Sequence, residues 1–337
     1  MTGRSEIEFL YLTQADVKAT DLDMATVLEI IEDVFRLHAD GRVILPHKIV
    51  LDLGERERGR INAMPAYVGG DVDVCGIKWI AGFPQNPLKH GLPRGIGLLA
   101  LNDSWKGVPL AIMDATFISA MRTGAVTGVG ARYLARPESE TMAMIGAGVQ
   151  ARTQLEALHL ALPQLREVRV YDIRPEAAEA YAEEMSQVLD LVIEVVNIPQ
   201  KAVEGADVIV TATMADEPIV KEAWVKEGSF FAHVGSYQEE EYEVVLNSDK
   251  IVVDEWEHVR HRGTPILARM YDDGHLSEAD IYANLGEVVA GQKPGRESEA
   301  ERIFFAPIGM GSEDVAVAYG VYRLALEKGL GTKLSLF

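Results

Sequence analysis

The chain has 337 residues, 48% of them hydrophobic, with a formal net charge of -20; the length suggests two domains with a large core, and the acidic balance argues against nucleic acid or an anionic membrane as partner. Cys75 is the only cysteine, which excludes an intrachain disulfide and a C-x-x-C metal site, and no other metal-ligand spacing occurs. The N-terminus lacks the apolar stretch of a signal peptide and no apolar run could span a bilayer, so a cytoplasmic, reduced location is expected.

Residues 8–13 read as a strand. Asp21 then reads as the N-cap of an amphipathic helix with Met24, Val27, Leu28, Ile31, Val34 and Phe35 on one stripe. A β-rich block follows, with strands expected at 48–52, 60–66, 74–80, 97–102 and 109–113, punctuated by Gly and Pro. Residues 114–135 read as a long helix whose Ala and Gly let another element come close. Beyond Glu138 the texture changes to alternating strand and helix. The strands are expected at 141–145, 167–172, 191–196, 208–211, 229–234 and 250–253, the sequence form of an open parallel sheet with right-handed crossovers. The run Glu239-Glu240-Glu241 reads as a solvated loop, and a tail helix over 312–328 should end at Gly329.

The stretch from Thr141 to Arg152 organises the second half. After the strand, Gly146, Gly148 and Ala151 fit G-x-G-x-x-G/A and a helix opens. Gly146 permits a tight turn, Gly148 lets backbone approach a pyrophosphate, and Ala151 lets the helix pack on the strand. The next strand ends on Asp172, where a ribose hydroxyl would be held. That acid favours NAD, while Arg174, two residues on, would suit the extra phosphate of NADP. The fold class is therefore α/β: a Rossmann-type doubly wound sheet at 126–311 behind a β-rich α+β substrate and dimerisation domain at 1–125, rejoined by a C-terminal helical segment at 312–337. The expected cofactor set adds Val149 and Gln150 in the loop and Ile173 beside Asp172. Thr211, Ala212 and Thr213 after the fourth strand, and Val234 and Gly235 after the fifth, complete it, because parallel sheets bind ligands at the carboxyl ends of their strands.

Lys78 interrupts a strand otherwise made for burial, Gly76-Ile-Lys-Trp-Ile80. It either faces solvent on the alternate side or serves as a substrate cation or a tuned amine. Arg122 lies among small residues on the long helix and either forms a surface salt bridge or grips a carboxylate through two parallel bonds. Lys48 and Arg94 are further cations in the β-rich block. Cations converging near a nicotinamide would make a site for an amino or keto acid.

Together, Gly76-Ile-Lys78, Pro109 to Asp114, Met121-Arg122-Thr123-Gly-Ala, Ile145 to Ala151, Val170-Tyr-Asp172 and Gly309-Met-Gly-Ser-Glu313-Asp314 resemble the ornithine cyclodeaminase and μ-crystallin family. The resemblance implies a homodimer acting on a small amino or imino acid, with Lys78 and Arg122 at the substrate carboxylate. It implies that Arg122, Thr123, the Gly146 loop and Asp172 hold the dinucleotide. Lys48 falls where the family commonly has a carboxylate-binding arginine. Tyr237 falls where cyclodeaminases carry an aspartate, and a phenol is not a carboxylate base near neutral pH. A branch that resembles this chain more closely, on Asn86-Pro87, Val253-Asp-Glu-Trp256 and Gly331-Thr-Lys-Leu among others, oxidises N-(1-amino-1-carboxy-2-ethyl)-glutamate with NAD in 2,3-diaminopropionate biosynthesis. Arg94 would suit the extra carboxylate of such a substrate. The expectation is an NAD-dependent oxidoreductase acting on a C–N bond. The alternatives are ornithine cyclodeamination, with NAD as an internal hydride carrier, and a ketimine reductase or μ-crystallin-like binding protein.

Overall fold

The computed structural model describes residues 6–54, 56 and 58–337. The chain divides into two compact units, Met1–Arg122 with Met310–Phe337, and Thr123–Gly309.

The first unit opens with β1 (Glu8–Leu12), α1 (Gln14–Ala19) and α2 (Met24–Ala39). The six stripe residues of α2 are all buried. Its N-cap is Asp23, not Asp21: the Thr26 amide donates to the Asp23 carboxylate at 2.8 Å. An N-cap needs extended backbone, and Asp21 sits instead in a left-handed turn at φ 52°. Strands β2 (Val43–Ile44), β3 (Ile49–Asp52), β4 (Arg60–Val68), β5 (Val74–Gly82), β6 (Gly95–Asp103) and β7 (Pro109–Asp114) follow. From β3 to β7 each strand runs antiparallel to the next, and β7 then lies parallel to β1. Helix α3 (Thr116–Leu134) carries the boundary between the units.

The second unit contains β8 (Thr141–Ile145), α4 (Val149–Ala161), β9 (Glu167–Tyr171), α5 (Pro175–Leu189), β10 (Val192–Val195), β11 (Val208–Thr211), β12 (Phe230–His233), β13 (Lys250–Val253), β14 (Ala283–Asn284) and β15 (Ile303–Ala306). Every pairing in its sheet is parallel, in the order β10-β9-β8-β11-β12-β15-β13-β14. The chain winds outward from β8 in one direction through β9 and β10, then returns to β11 on its other side. The topological switch therefore lies between β8 and β11, where open parallel sheets bind ligands. Strand β15 enters between β12 and β13 and was not expected; its fully buried Ile-Phe-Phe-Ala run is short and lacks alternation. The small residues of α3 have a packing cause. A Cβ on Gly124 would fall 2.3 Å from the Thr153 carbonyl oxygen, and one on Gly130 would fall 2.8 Å from the Phe305 ring.

The acidic run after β12 is not a solvated loop. Glu239 and Glu240 are fully buried. The amides of Ile219 and Val220 donate to the Glu239 carbonyl at 2.7 and 3.0 Å, and the Glu241 amide donates to the Val220 carbonyl at 3.0 Å. This strand-like pairing fixes the run's backbone while both carboxylates are buried.

The chain returns to the first unit as α6 (Gly311–Lys328) and β16 (Thr332–Ser335). The tail helix ends at Gly329 as expected, and the remainder of the segment expected as helical to residue 337 forms a strand. Gly329 and Gly331 both have positive φ, breaking the helix and turning the chain onto β1. The first sheet runs β16-β1-β7-β6-β5-β4-β2, with β3 also paired to β4. Among the described residues no helix is long and apolar enough to cross a membrane.

Candidate active site

Strand β5 is turned against its composition. Ile77 and Trp79 are 36% and 47% exposed, whereas Gly76 and Lys78 are buried, Lys78 to 1%. Lys78 Nζ lies 2.7 Å from Asp314 Oδ2 and donates to Ser119 Oγ at 3.2 Å. Arg122, also buried, donates through Nε to Asp314 Oδ1 at 3.0 Å and through Nη1 to Glu313 Oε2 at 2.9 Å. Neither cation is a surface group.

Glu313 and Asp314 occupy the first turn of α6, where aligned backbone dipoles favour carboxylates, and Glu313 also accepts from the Met310 amide at 3.0 Å. Glycines bring this helix end down onto the sheet. A Cβ on Gly76 would fall 2.8 Å from Val315 Cγ2, and one on Gly311 would fall 2.8 Å from the Met64 carbonyl oxygen. Burial, and then the charge of Arg122, pushes the Lys78 pKa down to about 8, with Asp314 and Glu313 pulling the other way. An amine so poised exchanges protons near neutral pH. In the sequence Glu313 and Asp314 stand out only as part of a family motif. Two acids opening a helix ordinarily read as dipole complements, so nothing local marked them as partners of Lys78 and Arg122.

Register separates the other two cations. Ile49 pairs with Ala63, and Met64 pairs with Lys78. Extending β3 by one residue sets Lys48 opposite Met64, in the same row as Lys78 and two strands away, about 10 Å. Arg94 stands just before β6, five positions from Leu99, the residue paired with Lys78. That is about 16 Å along the strand, and Arg94 is exposed.

The dinucleotide loop is tightly defined. Gly146 has φ 100°, and a Cβ there would fall 2.8 Å from the Ala212 carbonyl oxygen. Gly148 caps α4 with extended backbone, and a Cβ there would meet nothing within 4 Å, so open space lies before the helix N-terminus. Asp172 braces the loop: Oδ2 accepts from the Ala147 amide at 2.8 Å, and Oδ1 accepts from the Arg174 amide at 2.9 Å. The Arg174 guanidinium lies 3.7 Å from the same carboxylate. Val149 and Ile173 leave large apolar side chains bare beside the loop, and Gln150 is half-buried. The Ala212 amide donates to the Ile145 carbonyl and the Val234 amide to the Thr211 carbonyl, both at 2.9 Å. Thr211 is fully buried, whereas Ala212, Thr213, Val234 and Gly235 are half-buried. The Thr123 carbonyl accepts from the Gln154 side chain at 3.1 Å. These groups fit a dinucleotide. They offer a side-chain-free approach to a helix end, an acid at the ribose position and bare apolar flanks. Tyr237 is half-buried with the Arg269 guanidinium 5.7 Å from its ring centroid. Among the described residues no group of His, Cys, Asp or Glu is placed to hold a metal ion.

A parallel sheet wound outward from β8, with a glycine loop and an acid at its switch point, defines a dinucleotide-binding α/β protein, here with a second, antiparallel-rich unit holding buried cations. The model of the ornithine cyclodeaminase/mu-crystallin family matches residues 8–329, and the chain belongs to that family. The chain is similar to the Thermococcus litoralis Δ1-pyrroline-2-carboxylate reductase solved with NADH and L-proline, at 38% identity and a TM-score of 0.90 over 96% of this chain and 99% of that one. An archaeal alanine dehydrogenase, solved as a dimer with bound NAD, also shares 38% identity and a TM-score of 0.90, over 98% of this chain and 100% of its own. The N-((2S)-2-amino-2-carboxyethyl)-L-glutamate dehydrogenase of Staphylococcus aureus is 31% identical over 98% of this chain and 99% of its own.

Asp172 separates the two nicotinamide dinucleotides through its charge. Asp172→Asn keeps the shape and removes the repulsion of a 2′-phosphate. The ratio of NADP+ to NAD+ affinity should rise by about tenfold or more, read by fluorescence titration; an unchanged ratio would leave Asp172 as a brace for the loop alone.

Proposed function

We propose that this chain is an NAD-dependent oxidoreductase acting on the carbon–nitrogen bond of an amino or imino acid. The observation that carries the reading is Lys78, a fully buried amine with a pKa near 8 paired to Asp314 beside Arg122. Gly146, Gly148, Val149, Gln150, Asp172, Ile173, Thr211, Ala212, Thr213, Val234 and Gly235, with Arg122 and Thr123, would hold the cofactor, which when bound supplies the hydride acceptor or donor. Arg122 and Lys48 fix the substrate carboxylate and so orient the reacting carbon, which supplies much of the rate. Lys78 as the free amine takes a proton from the substrate nitrogen or from water adding to the imine, and its ammonium returns one in the reverse direction.

Lys78 must be neutral to accept a proton, so kcat/KM for amine oxidation should rise with pH through about 8. Asp314 raises this pKa, so Asp314→Asn should move that limb to lower pH. A limb that stays in place in the variant would remove Lys78 from the proton transfer.

Within this class we favour oxidation of an N-carboxyalkyl amino acid such as N-(1-amino-1-carboxy-2-ethyl)-glutamate. Asn86 supports it: its side chain donates to the Pro93 carbonyl at 3.1 Å and so buttresses the loop that presents Arg94, suited to a second, distant carboxylate. With NAD, Arg94→Ala should raise KM for such a substrate about tenfold or more, the loss of a charge-assisted pair, and leave KM for alanine unchanged. Equal effects on both substrates would favour a simple amino acid instead. The cyclodeaminase alternative is weakened because Tyr237 supplies no carboxylate and Glu239 and Glu240 are buried, bound to Thr213 and His233. Ornithine yielding proline and ammonia without net NADH would revive it.

We infer further that two copies assemble through the first unit. Ile49, Trp79 and Leu98 lie in one row across β3, β5 and β6, each at least 47% exposed, with Leu51 and Ile96 in the next row. A bare apolar face of that extent ordinarily lies in an interface, and the archaeal alanine dehydrogenase is a dimer. Trp79→Asp combined with Leu98→Asp should give monomers by light scattering; an unchanged mass would place the interface elsewhere.

A further inference from the structure

Beyond the loops themselves, the carboxyl ends of β11 and β12 carry a cluster that binding of the dinucleotide phosphates does not use. Thr211 and His233, the last residues of these strands, are register partners. His233 is 1% exposed, and its Nδ1 lies 2.9 Å from Glu240 Oε1 and 3.6 Å from Glu239 Oε2. Glu239 Oε1 accepts from the Thr213 amide at 2.5 Å. Its other oxygen has no hydrogen-bond partner among the described residues, and it fills the space where a Cβ on Gly235 would fall, 1.8 Å away. The loops carrying Thr213 and Gly235 are thus seated directly on Glu239. Burial opposes a charge on the imidazole, but Glu240 and then Glu239 outweigh it and raise its pKa.

Two fully buried carboxylates therefore face one imidazole; burial raises the Glu240 pKa, His233 pulls it down, and the charge of Glu239 raises it again. Burying an uncompensated charge is costly, and in an interior of low polarity its field reaches well beyond contact distance. The loops resting on it lie across β8 from Asp172, so with a ribose held at that acid they would line the nicotinamide end of the cofactor. The oxidised ring carries a positive charge and the reduced ring does not.

We propose that Glu239 and Glu240 leave surplus negative charge beneath the loops after β11 and β12, and that this charge makes the protein prefer NAD+ over NADH. The inference rests on the dinucleotide reading above. Its consequence is directional: among bound forms the equilibrium shifts toward NAD+ and amine, so net amine oxidation is drawn forward by release of the more weakly held NADH.

The test is the ratio of the dissociation constants for NAD+ and NADH, measured by fluorescence or calorimetric titration in the absence of amino acid. Glu239→Gln and Glu240→Gln each keep the side-chain shape and remove one charge. Each should weaken NAD+ by about tenfold while NADH changes less than about twofold. The two glutamates differ in contacts, since only Glu239 holds the Thr213 amide, so a shared shift in the ratio reports charge rather than loop geometry. If either variant fails to fold, the other carries the test alone. Equal weakening of both cofactor forms, or an unchanged ratio, overturns the proposal in favour of a structural role. A Gly146→Val control separates the two levels: if it binds both cofactor forms as the wild type does, the dinucleotide site itself lies elsewhere and the charge inference falls with it.

Discussion

The first unit depends on one buried arrangement, Lys78 and Arg122 against Asp314 and Glu313. Taking these ions out of water costs several kcal/mol each, and their mutual attraction recovers that only when geometry and hydrogen bonds are good. Here they are: Asp314 is shared between both cations, Ser119 accepts from the amine, and Glu313 receives both Arg122 and the Met310 amide. Packed apolar side chains of similar volume are often as stable as such a cluster or more so. Stability alone therefore does not account for four ionised groups at this place. The proton exchange proposed for Lys78, whose pKa is pushed down to about 8, would give them a reason.

The same arrangement explains the small residues around it. To reach Lys78, the first turn of α6 must lie almost on the backbone of β4 and β5. Gly311 and Gly76 are where side chains would block that approach. With Gly76 and Lys78 given to the inner face, the large apolar residues of β5 are left outside. Strand alternation then makes a bare Ile77 and Trp79 the direct counterpart of a buried lysine. The catalytic proposal and the proposed dimer face are two sides of one strand.

Much of this was legible in the sequence, and the reasons for the rest are specific. The glycine spacing, the strand-end acid and the alternation of strand and helix are local signals, and they led to a parallel sheet with a dinucleotide loop. The stripe of α2 was equally plain. Lys78 and Arg122 were recognisable as anomalies, charged residues among small and apolar ones, although the sequence left open whether they face solvent. Their partners were not recognisable, because Glu313 and Asp314 are nearly 200 positions from Arg122 and an acidic helix start has an ordinary explanation. Strand β15 was missed because four buried apolar residues carry no period. Asp21 has the composition of a cap, and composition cannot report that its backbone is left-handed.

The acidic run at Glu239 shows most clearly where composition misleads. Three glutamates in a row carry a strong prior for solvent, and a charge run gives no hint of backbone pairing elsewhere. Pairing with residues 219–220 decides the matter by fixing the run's backbone, after which Glu239 and Glu240 must find partners or lose their charge. They find His233 and the Thr213 amide. The consequence travels along the loops: Glu239 holds Thr213, Thr213 and Ala212 crowd Gly146, and the residue after Gly146 is tied to Asp172. Each loop at the ligand end of the sheet is thus set by a group on its neighbour. A carboxylate outside the glycine loop thus helps to set the loop's shape through Thr213.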